Sequence, residues 1–528
     1  MEPYDKSEQT SSGKTIRKRE EIAAIMIDFE TASQLRSQRQ FAMEKGIPRT
    51  TLQHWLSRKK SLDASPALIE FFESPEGIAF LHRMLTAVHF EFCQNGPASI
   101  HNVANFLKLC KLEPFIAASY GSQRNVAEKM NETIVEFGDR ERERLVGAMP
   151  EKWITLCEDE TFHPDICMVA MEPVSNFIVL EQYVERRDGR TWDEMVGKAL
   201  EGLPVKVVQV ASDEAKGLLN HTEKRLGANH SPDVLHVQLE IGKGTSGPLA
   251  GQIKKAEKQV EIASKQTAKE KAAAKKYDDL PRRPRGRRPN FEKKIEEAQN
   301  REKQMQVALD TARQNQEAVR TARREIGGRY HPYDPETGEK QGPESMSALL
   351  DSNFEKIGEA IGQLPDRCRK RVEKARRVVK AMVANIAFFF VIIDQYMENR
   401  GIGEDERKIL ENWLIPGFYL KQAARKEKDE TRREIILEKA EEFLSIRNDP
   451  GGPLAGYCDD VKKDLEKAAK DCANLFQRSS SCVEGRNAQL SLRHHGIHRL
   501  SAERLRALTV VHNYHVKNEE GKTPAERF

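Results

Sequence analysis

The sequence lacks the features that are typical of secreted proteins, of proteins with structural zinc sites and of membrane proteins. Its eight cysteines are scattered over 528 residues, and no two form a C-x-x-C pair with the spacing of zinc or redox sites. The most apolar run, residues 384–393, is far shorter than the roughly 20 residues that cross a bilayer, so we expect it to be a buried helix. Residues 1–21 contain no apolar core of a secretory signal. We therefore expect a soluble, cytoplasmic protein with reduced thiols and no membrane partner.

A net charge of one sign is also missing. The 86 basic and 82 acidic side chains leave a formal charge of +4, so the overall balance identifies no partner. Apolar residues make up 38% of the chain, which is low but adequate for globular domains, whereas 32% are charged, which predicts much charged helix surface. The length exceeds what one hydrophobic core usually organises, so we expect about two to four domains.

Residues 31–60 contain two short amphipathic runs separated by Gly46, Ile47 and Pro48. Glycine can end the first helix in the left-handed conformation, and proline suits the first turn of the second, which predicts a helix-turn-helix. Its predicted core is Leu35, Phe41, Ala42, Ile47, Leu52 and Trp55. The predicted DNA contacts are Arg49, Thr50, Thr51, Gln53 and His54 towards base edges, and Arg58, Lys59 and Lys60 near phosphates. A helical hairpin without a DNA partner would show the same pattern.

The next segments differ in their hydrophobic period. Residues 63–150 have apolar residues at three-to-four spacing, which predicts helices, and show no chemistry. Four β-rich runs then have the length of strands: residues 152–161, 166–173, 176–187 and 205–214. The segment TWDEMVGKALEGL between the third and fourth predicts a crossover helix, and together these elements indicate an α/β sheet. Residues 231–244 are either a fifth strand or the start of a helix.

Lys, Glu, Ala, Gln and Arg dominate residues 246–327. Their sparse apolar positions predict two long helices paired as an antiparallel coiled coil. Three prolines in YDDLPRRPRGRRPN exclude a continuous helix and predict a hairpin tip. The tip carries Arg282, Arg283, Arg285, Arg287 and Arg288. These arginines suit phosphates or a narrow minor groove, although a solvated loop is the alternative. Residues 346–476 are again predicted to be helical.

Two aspartates follow strands of the predicted sheet. The first strand ends in LCEDET and the fourth in QVASDE, so Asp159 and Asp213 each lie at the carboxyl end of a strand. Sites in open α/β sheets assemble at the carboxyl ends of the strands, so these carboxylates are expected to face each other and to share a hard cation such as Mg²⁺. Aspartate after a strand is also ordinary turn chemistry, and a third acid is needed to favour the metal site.

The motifs DET (159–161), SDEAKGLL (212–219) and a late segment that begins SSCVEGRNAQL (480–490) resemble bacterial insertion-sequence transposases of the DDE class. The resemblance covers about residues 151–244 and 479–528 and includes the helix-turn-helix. For the middle of the chain it offers only the precedent of an inserted helical domain, as in hAT transposases. It implies an RNase H-like catalytic domain in which Asp159, Asp213 and Glu484 hold two Mg²⁺ or Mn²⁺ ions.

Other residues near these motifs have competing interpretations. Glu158, Glu160 and Glu214 are neighbouring acids that we disfavour. Glu484 also fits a capping box with Ser481, or a solvated helix acid. His236 resembles a histidine that helps to position the scissile phosphate, and a structural histidine is the alternative. Candidates for contact with the DNA backbone after Glu484 are Arg486, Asn487, His494, His495 and His498. The Tyr-Arg-Glu-Lys signature of one transposase group is not reproduced around Glu484.

The sequence thus predicts an α/β, RNase H-like catalytic domain interrupted by a large all-α, partly coiled-coil insertion. The predicted domains are residues 1–62 (tail and helix-turn-helix), 63–150 (helical connector), 151–245 and 477–528 (the two parts of the catalytic domain) and 246–476 (insertion). The resemblance implies a transposase that binds transposon ends and target DNA as a homodimer or larger assembly, in the nucleoid region of bacterial cytoplasm. The alternatives are a metal-dependent nuclease and a catalytically silent, domesticated DNA-binding protein. The three acids argue against the last.

Overall fold

A computed structural model describes residues 19–60, 66–113, 115–282, 284–497 and 500–528. The predicted DNA contacts Arg283 and His498 lie outside the described residues, and so do the side chains of Arg58, Lys59 and Lys60. The chain is mostly helical with one small mixed sheet, so the coarse α/β class is confirmed. It forms two compact units: unit 1 comprises Met1–Phe137 and Leu492–Leu508, and unit 2 comprises Gly138–Ser491 and Thr509–Phe528.

The N-terminal part of the chain is helical throughout its described residues. Its helices are α1 (Arg19–Ala32), α2 (Gln38–Glu44), α3 (Arg49–Lys60), α4 (Pro66–Glu73), α5 (Pro75–Val88), α6 (Ile100–Leu109) and α7 (Tyr120–Val146), with a π-helical segment at His89–Asn95. One hydrophobic core of unit 1 lies under α5 and α6, where Leu81, Leu85 and Leu107 are buried. The helical prediction for this region is confirmed.

The predicted helix-turn-helix has a third helix that the sequence interpretation missed. Gly46 adopts the left-handed conformation at φ 61°, and the carbonyl of Pro48 accepts the first hydrogen bonds of α3. Ile25 and Phe29 of α1 pack with Phe41, Ala42, Ile47 and Leu52 in one core. Leu35 was predicted to belong to this core but is 89% exposed, because it lies in the turn after α1. The motif is therefore a three-helix unit.

Unit 2 contains a five-stranded sheet in the order β3-β2-β1-β4-β5. Its elements in chain order are β1 (Lys152–His163), β2 (Asp165–Glu172), β3 (Phe177–Val184), α8 (Gly189–Leu200), β4 (Val205–Ser212), α9 (Lys216–Leu219), a π-helical segment (Asn220–Leu226) and β5 (Asn229–Pro232). β1 pairs antiparallel with β2 and parallel with β4, while β5 pairs parallel with β4. The four strands and the crossover helix that the sequence predicted are all present.

The rest of unit 2 is helical apart from its connections. The remaining helices are α10 (Val234–Asp278), α11 (Phe291–Arg329), α12 (Pro343–Ala360), α13 (Asp366–Arg377), α14 (Val379–Asn399), α15 (Glu404–Ile409), α16 (Ile415–Lys426), α17 (Glu430–Leu444), α18 (Asp459–Asn474), α19 (Ser481–Ile497), α20 (Ala502–Tyr514) and α21 (Pro524–Arg527). Residues 231–244 end β5 and begin α10, so both interpretations of that segment were partly right.

α10 and α11 form the antiparallel pair that the sequence predicted. Gln238 near the start of α10 donates to the carbonyl of Arg323 near the end of α11, and Tyr277 at the far end of α10 contacts Phe291. α10 begins at Val234 rather than near residue 246, and it continues through Gly244, Gly247 and Pro248. Its first turns are buried in the helical core, and this packing outweighs the low helix propensity of glycine and proline.

One helical stretch of the described residues, Asp366–Asn399, is long and apolar enough to cross a membrane by length and composition. It consists of α13 and α14 with Val378 between them. Met382, Ile386 and Phe389 of α14 are buried against the surrounding helices. This is the packing of a core helix, as expected for residues 384–393, and it is consistent with a soluble protein.

Candidate active site

The register of β1 and β4 brings Asp159 and Asp213 to neighbouring positions. Cys157 of β1 pairs with Ala211 of β4 in parallel, and the two aspartates follow two residues later on each chain segment. β1 continues to His163, two residues beyond the predicted run 152–161, and after Cys157 it pairs with β2 alone. β4 ends at Ser212, and the Asp213 carboxylate accepts a hydrogen bond from Ala215 N at 2.9 Å. Asp213 therefore makes the turn and also lies beside Asp159.

The alternation of β1 separates Asp159 from its two glutamate neighbours. Glu158 is fully buried on the opposite face, where its Oε1 lies 3.4 Å from Nε2 of His221. Glu160 accepts hydrogen bonds from Trp192 Nε1 at 3.2 Å and from Arg187 at 3.1 Å. Because successive residues of a strand point to opposite faces, neither glutamate shares a face with Asp159. Glu214 is exposed on the turn after β4.

An irregular segment, residues 475–480, crosses the sheet on the Asp159 side and leads into α19. It is fixed by hydrogen bonds from Thr155 Oγ1 to Leu475 O (2.9 Å), Ser231 Oγ to Gln477 O (2.7 Å), Val234 N to Arg478 O (3.0 Å) and Cys157 Sγ to Ser479 O (3.7 Å). Every one of these acceptors is a backbone carbonyl, so neighbouring residues hold the backbone of the segment along its length. The start of α19 is thereby held beside β1.

Glu484 lies in the first turn of α19, on the side that meets β1. Asn487, three residues further along the helix, donates from Nδ2 to Asp159 Oδ2 at 2.8 Å. Residues three apart lie on one helix face, so this bond directs Glu484 towards the aspartates. The capping box predicted with Ser481 is not formed, because the carbonyl of Ser480 accepts the first helical bonds and Ser481 is already helical. Glu484 is thus not engaged as a capping partner.

His236 joins this group from the first turn of α10. Its Nε2 lies 4.0 Å from Glu484 Oε1, and its Nδ1 lies 3.2 Å from Oδ2 of Asp233. Asp233 is 2% exposed and also accepts hydrogen bonds from Ser480 N and Oγ. The hydrogen bond to Asp233 raises the pKa of His236 above its ordinary value. The sequence interpretation missed Asp233, although an aspartate that precedes a helix and lies three residues before a histidine can orient that histidine.

The three acids interact electrostatically. Burial is the largest cause that raises the pKa of Asp159, and the charges of Glu484 and Asp213 raise it further, to about 6. Three carboxylates that approach each other give the site an excess of negative charge. Among the described residues, no group of three or more His, Cys, Asp and Glu side chains is arranged to hold a metal ion. The acids are neighbours here rather than a closed set of ligands.

Arg486 does not contact solvent as a DNA-binding residue would. It is 7% exposed, and its guanidinium forms a two-pronged ion pair with Glu181 of β3, at 2.6 Å from Nε and 2.7 Å from Nη2. Thr509 also donates to this carboxylate at 2.7 Å. The predicted backbone contact is therefore wrong for Arg486. Its role is structural, because the pair fixes α19 to the sheet. Of the histidines proposed with it, His494 is buried and His495 is exposed.

The predicted DNA contacts of the N-terminal motif occupy the start of α3. Arg49, Thr50, Gln53 and His54 are exposed, and Thr51 is half-buried. The arginine tip lies between α10 and α11, as predicted, and Arg282, Arg285, Arg287 and Arg288 are exposed there. Arg288 forms an ion pair with Asp278 at 3.0 Å, so the positive charge of the tip is partly compensated.

Asp159→Asn is expected to stabilise the metal-free protein. The pKa of Asp159 rises from 3.8 to about 6 on folding, so its free energy of unfolding falls between pH 4 and 6 and stays low above pH 6. At pH 7.5 the ionised carboxylate costs about 2 to 3 kcal/mol, which the amide removes. Thermal melting in EDTA should show Asp159→Asn several degrees above wild type. Glu151→Gln, which changes an exposed acid just before β1, should melt like wild type. A variant that melts at or below wild type would contradict the electrostatic account.

Residues 410–528 match a family described as a family of unknown function, DUF6399. The matched stretch covers less than a quarter of the chain and contains Glu484 and Asn487, but neither Asp159 nor Asp213. No curated protein and no solved structure matches the chain.

Proposed function

We propose that this chain is a DDE-type transposase, which binds transposon ends and catalyses metal-dependent cleavage and transfer of DNA strands. The observation that carries the proposal is the approach of Asp159, Asp213 and Glu484, from three separate segments, at one end of the β1–β4 pair. The strand order 3-2-1-4-5, with β2 antiparallel to β1, is the order of an RNase H-like sheet and supports that fold for unit 2.

The three acids fit Mg²⁺ or Mn²⁺ by their chemistry. Carboxylate oxygens are the ligands that these hard cations prefer, and the charge that raises the pKa of Asp159 is the charge that a cation neutralises. Asp159, Asp213 and Glu484 would hold the ions. Two bound ions supply charge stabilisation for the attacking and leaving oxygens of a phosphodiester.

The surrounding residues orient this group. The Asn487 amide donates to one oxygen of Asp159 and so fixes the orientation of that carboxylate. Asp233 fixes the ring of His236, whose raised pKa favours the imidazolium form. Because an imidazolium donates hydrogen bonds from both nitrogens, His236 Nε2 is suited to a phosphate oxygen next to the acids. His236 is thus proposed as a positioning residue.

The N-terminal motif is proposed to recognise the transposon ends. Exposed polar side chains at the start of α3 are in the position from which recognition helices reach base edges. The exposed arginines of the hairpin tip are proposed to add phosphate contacts. Because two ends must be joined to one target, the active form is proposed to be a homodimer or larger assembly in the bacterial cytoplasm, at the nucleoid.

The test of this function is a joining reaction. Purified protein, Mg²⁺ or Mn²⁺ and DNA that carries the terminal repeats flanking its gene should yield joined strands. Released strands without joined products would instead identify a metal-dependent nuclease. Binding to the ends without any cleavage would identify a silent DNA-binding protein.

His236→Asn is expected to slow strand joining by about 10- to 100-fold, the usual effect of losing a residue that orients a metal site or its substrate. The variant should also lose the fall in joining rate, at pH values above the ordinary imidazole pKa of about 6.5, that deprotonation of the imidazolium gives. The matched control is His82→Asn, which changes an exposed histidine of α5 and should leave rate and profile unchanged. If His236→Asn slowed joining but kept the wild-type pH profile, the imidazolium role would be wrong.

A further inference from the structure

Unit 2 has a cleft of about 520 Å³ between the start of α10, the end of α11, the helices α16 and α17, and the segment before α19. Its lining is strongly basic. Five cationic side chains line it against two acids: Arg324, Lys426, Lys428, Arg432 and Arg478, with Glu427 and Asp429. Neither the proposed catalytic acids nor the helix-turn-helix accounts for this concentration of positive charge.

The two half-buried arginines of this basic cleft are incompletely paired. Arg432 donates from Nη2 to Gly328 O at 2.7 Å and lies 3.8 Å from Glu427, but its buried Nε has no hydrogen-bond partner. Arg478 donates to the carbonyl of Gly327, and no carboxylate in the described part of the chain forms an ion pair with it. Removing a cation from water is unfavourable unless an anion compensates it. The pair of guanidinium groups is therefore arranged for an anion that enters the cleft.

The chemistry of the lining favours phosphate over a single carboxylate. Guanidinium groups bind phosphate oxygens through parallel hydrogen bonds, and ammonium groups such as those of Lys426 and Lys428 add point charges. Lys426 lies near Arg478, and its Nζ donates to the side-chain oxygen of Gln477 at 2.9 Å. Four or five cations around one cleft suit a ligand with several negative charges.

The basic cleft adjoins the proposed active site along two segments. Ser481 lines the cleft and starts the helix that carries Glu484 three residues later. Leu235 lines it and precedes His236. Ser481 and Leu235 thus each connect the lining of the cleft to a residue of the proposed active site within one turn of a helix.

We propose that the basic cleft is a second phosphate-binding site, and that the backbone of the DNA strand held at the acids is what fills it. The phosphate-binding site is argued only from the lining of the cleft, whereas its assignment to the DNA backbone rests on the proposed function. A free oligophosphate, such as pyrophosphate or a nucleotide, is the other source of the same chemistry.

The test removes two exposed cations of the cleft, Arg324→Gln with Lys428→Gln. The matched control, Lys303→Gln with Lys467→Gln, removes two exposed cations of unit 2 outside the cleft. DNA affinity is measured in EDTA over a range of salt, and pyrophosphate binding by calorimetry. The cleft variant should bind DNA about tenfold more weakly at 100 mM salt, with a slope of log K against log salt that is smaller by about 1.4 to 1.8. The control should match wild type.

Arg478→Lys is a second variant, because it keeps the charge and removes the planar fork. It should weaken DNA binding while its melting temperature stays within a few degrees of wild type.

The outcomes separate the two sources. Weaker DNA binding in the cleft variant, with no pyrophosphate binding by wild type, supports the DNA backbone. Pyrophosphate binding that the variant loses, with DNA affinity equal to the control, supports the phosphate site and overturns its assignment to DNA. If neither ligand distinguishes the cleft variant from the control, the proposal is wrong. Because the assays contain no metal, they remain informative even if the protein joins no DNA.

Discussion

Asp213→Asn is expected to reduce joined DNA products by about 10³-fold or more, because loss of a preorganised electrostatic group in a site of this kind has effects of that order. The amide keeps the volume of Asp213 and can still accept the hydrogen bond from Ala215 N, so the turn after β4 should survive. It removes the negative charge that a divalent ion needs. Strand joining with labelled transposon ends in Mg²⁺ measures the effect.

The adjacent residue supplies the control for this prediction. Glu214→Gln removes an exposed acid from the same turn and should retain joining close to the wild-type rate. Both variants should bind the ends with wild-type affinity in EDTA, which separates catalysis from recognition. If Asp213→Asn joins DNA as fast as Glu214→Gln, the catalytic assignment of all three acids should be abandoned.

Arg486→Met is expected to destabilise unit 2 by about 3 to 5 kcal/mol. The substitution removes the guanidinium group from the Glu181 carboxylate, which is 5% exposed. Thr509 then remains as a hydrogen-bond donor to that carboxylate. A buried carboxylate that loses its cation is costly, because the protein interior solvates it poorly. Chemical denaturation followed by circular dichroism measures the loss, which should appear as a lower midpoint.

Two further variants isolate the buried pair as the cause. Arg486→Met combined with Glu181→Met should recover much of the loss, since an apolar pair of similar volume often replaces a buried ion pair at little cost. Arg433→Met breaks the exposed pair with Glu430 and should cost under about 1 kcal/mol. If the double variant is no more stable than Arg486→Met, the Arg486 side chain stabilises unit 2 through packing rather than through its ion pair with Glu181.

The sequence predicted the sheet and both aspartates because these depend on local signals. Apolar runs of strand length mark the strands, and Asp159 and Asp213 follow them in similar contexts. The extension of β1 to His163 was not predictable in the same way. Three consecutive acids favour a turn by composition, whereas the pairing of Thr161 and Phe162 with β2 stabilises a strand.

Non-local partners explain the remaining errors. Arg486 is basic and follows Glu484, which favours a DNA contact locally, but its partner Glu181 lies 305 residues away. Leu35 was assigned to the core of the helix-turn-helix, while Ile25 and Phe29 lie before residues 31–60, the segment from which that motif was predicted. In each case the deciding contact is between residues whose proximity no local pattern reveals.

The separation of the acids along the chain has a consequence during synthesis. Asp159 and Asp213 leave the ribosome long before Glu484, because α10 to α18 come between them. At translation rates of about 5 to 20 residues per second, the interval from Asp213 to Glu484 lasts about 14 to 54 s. Throughout this time a nascent chain has its helix-turn-helix and both aspartates but an incomplete site. Under the proposed function, such a chain would be able to meet DNA before it is able to cut it.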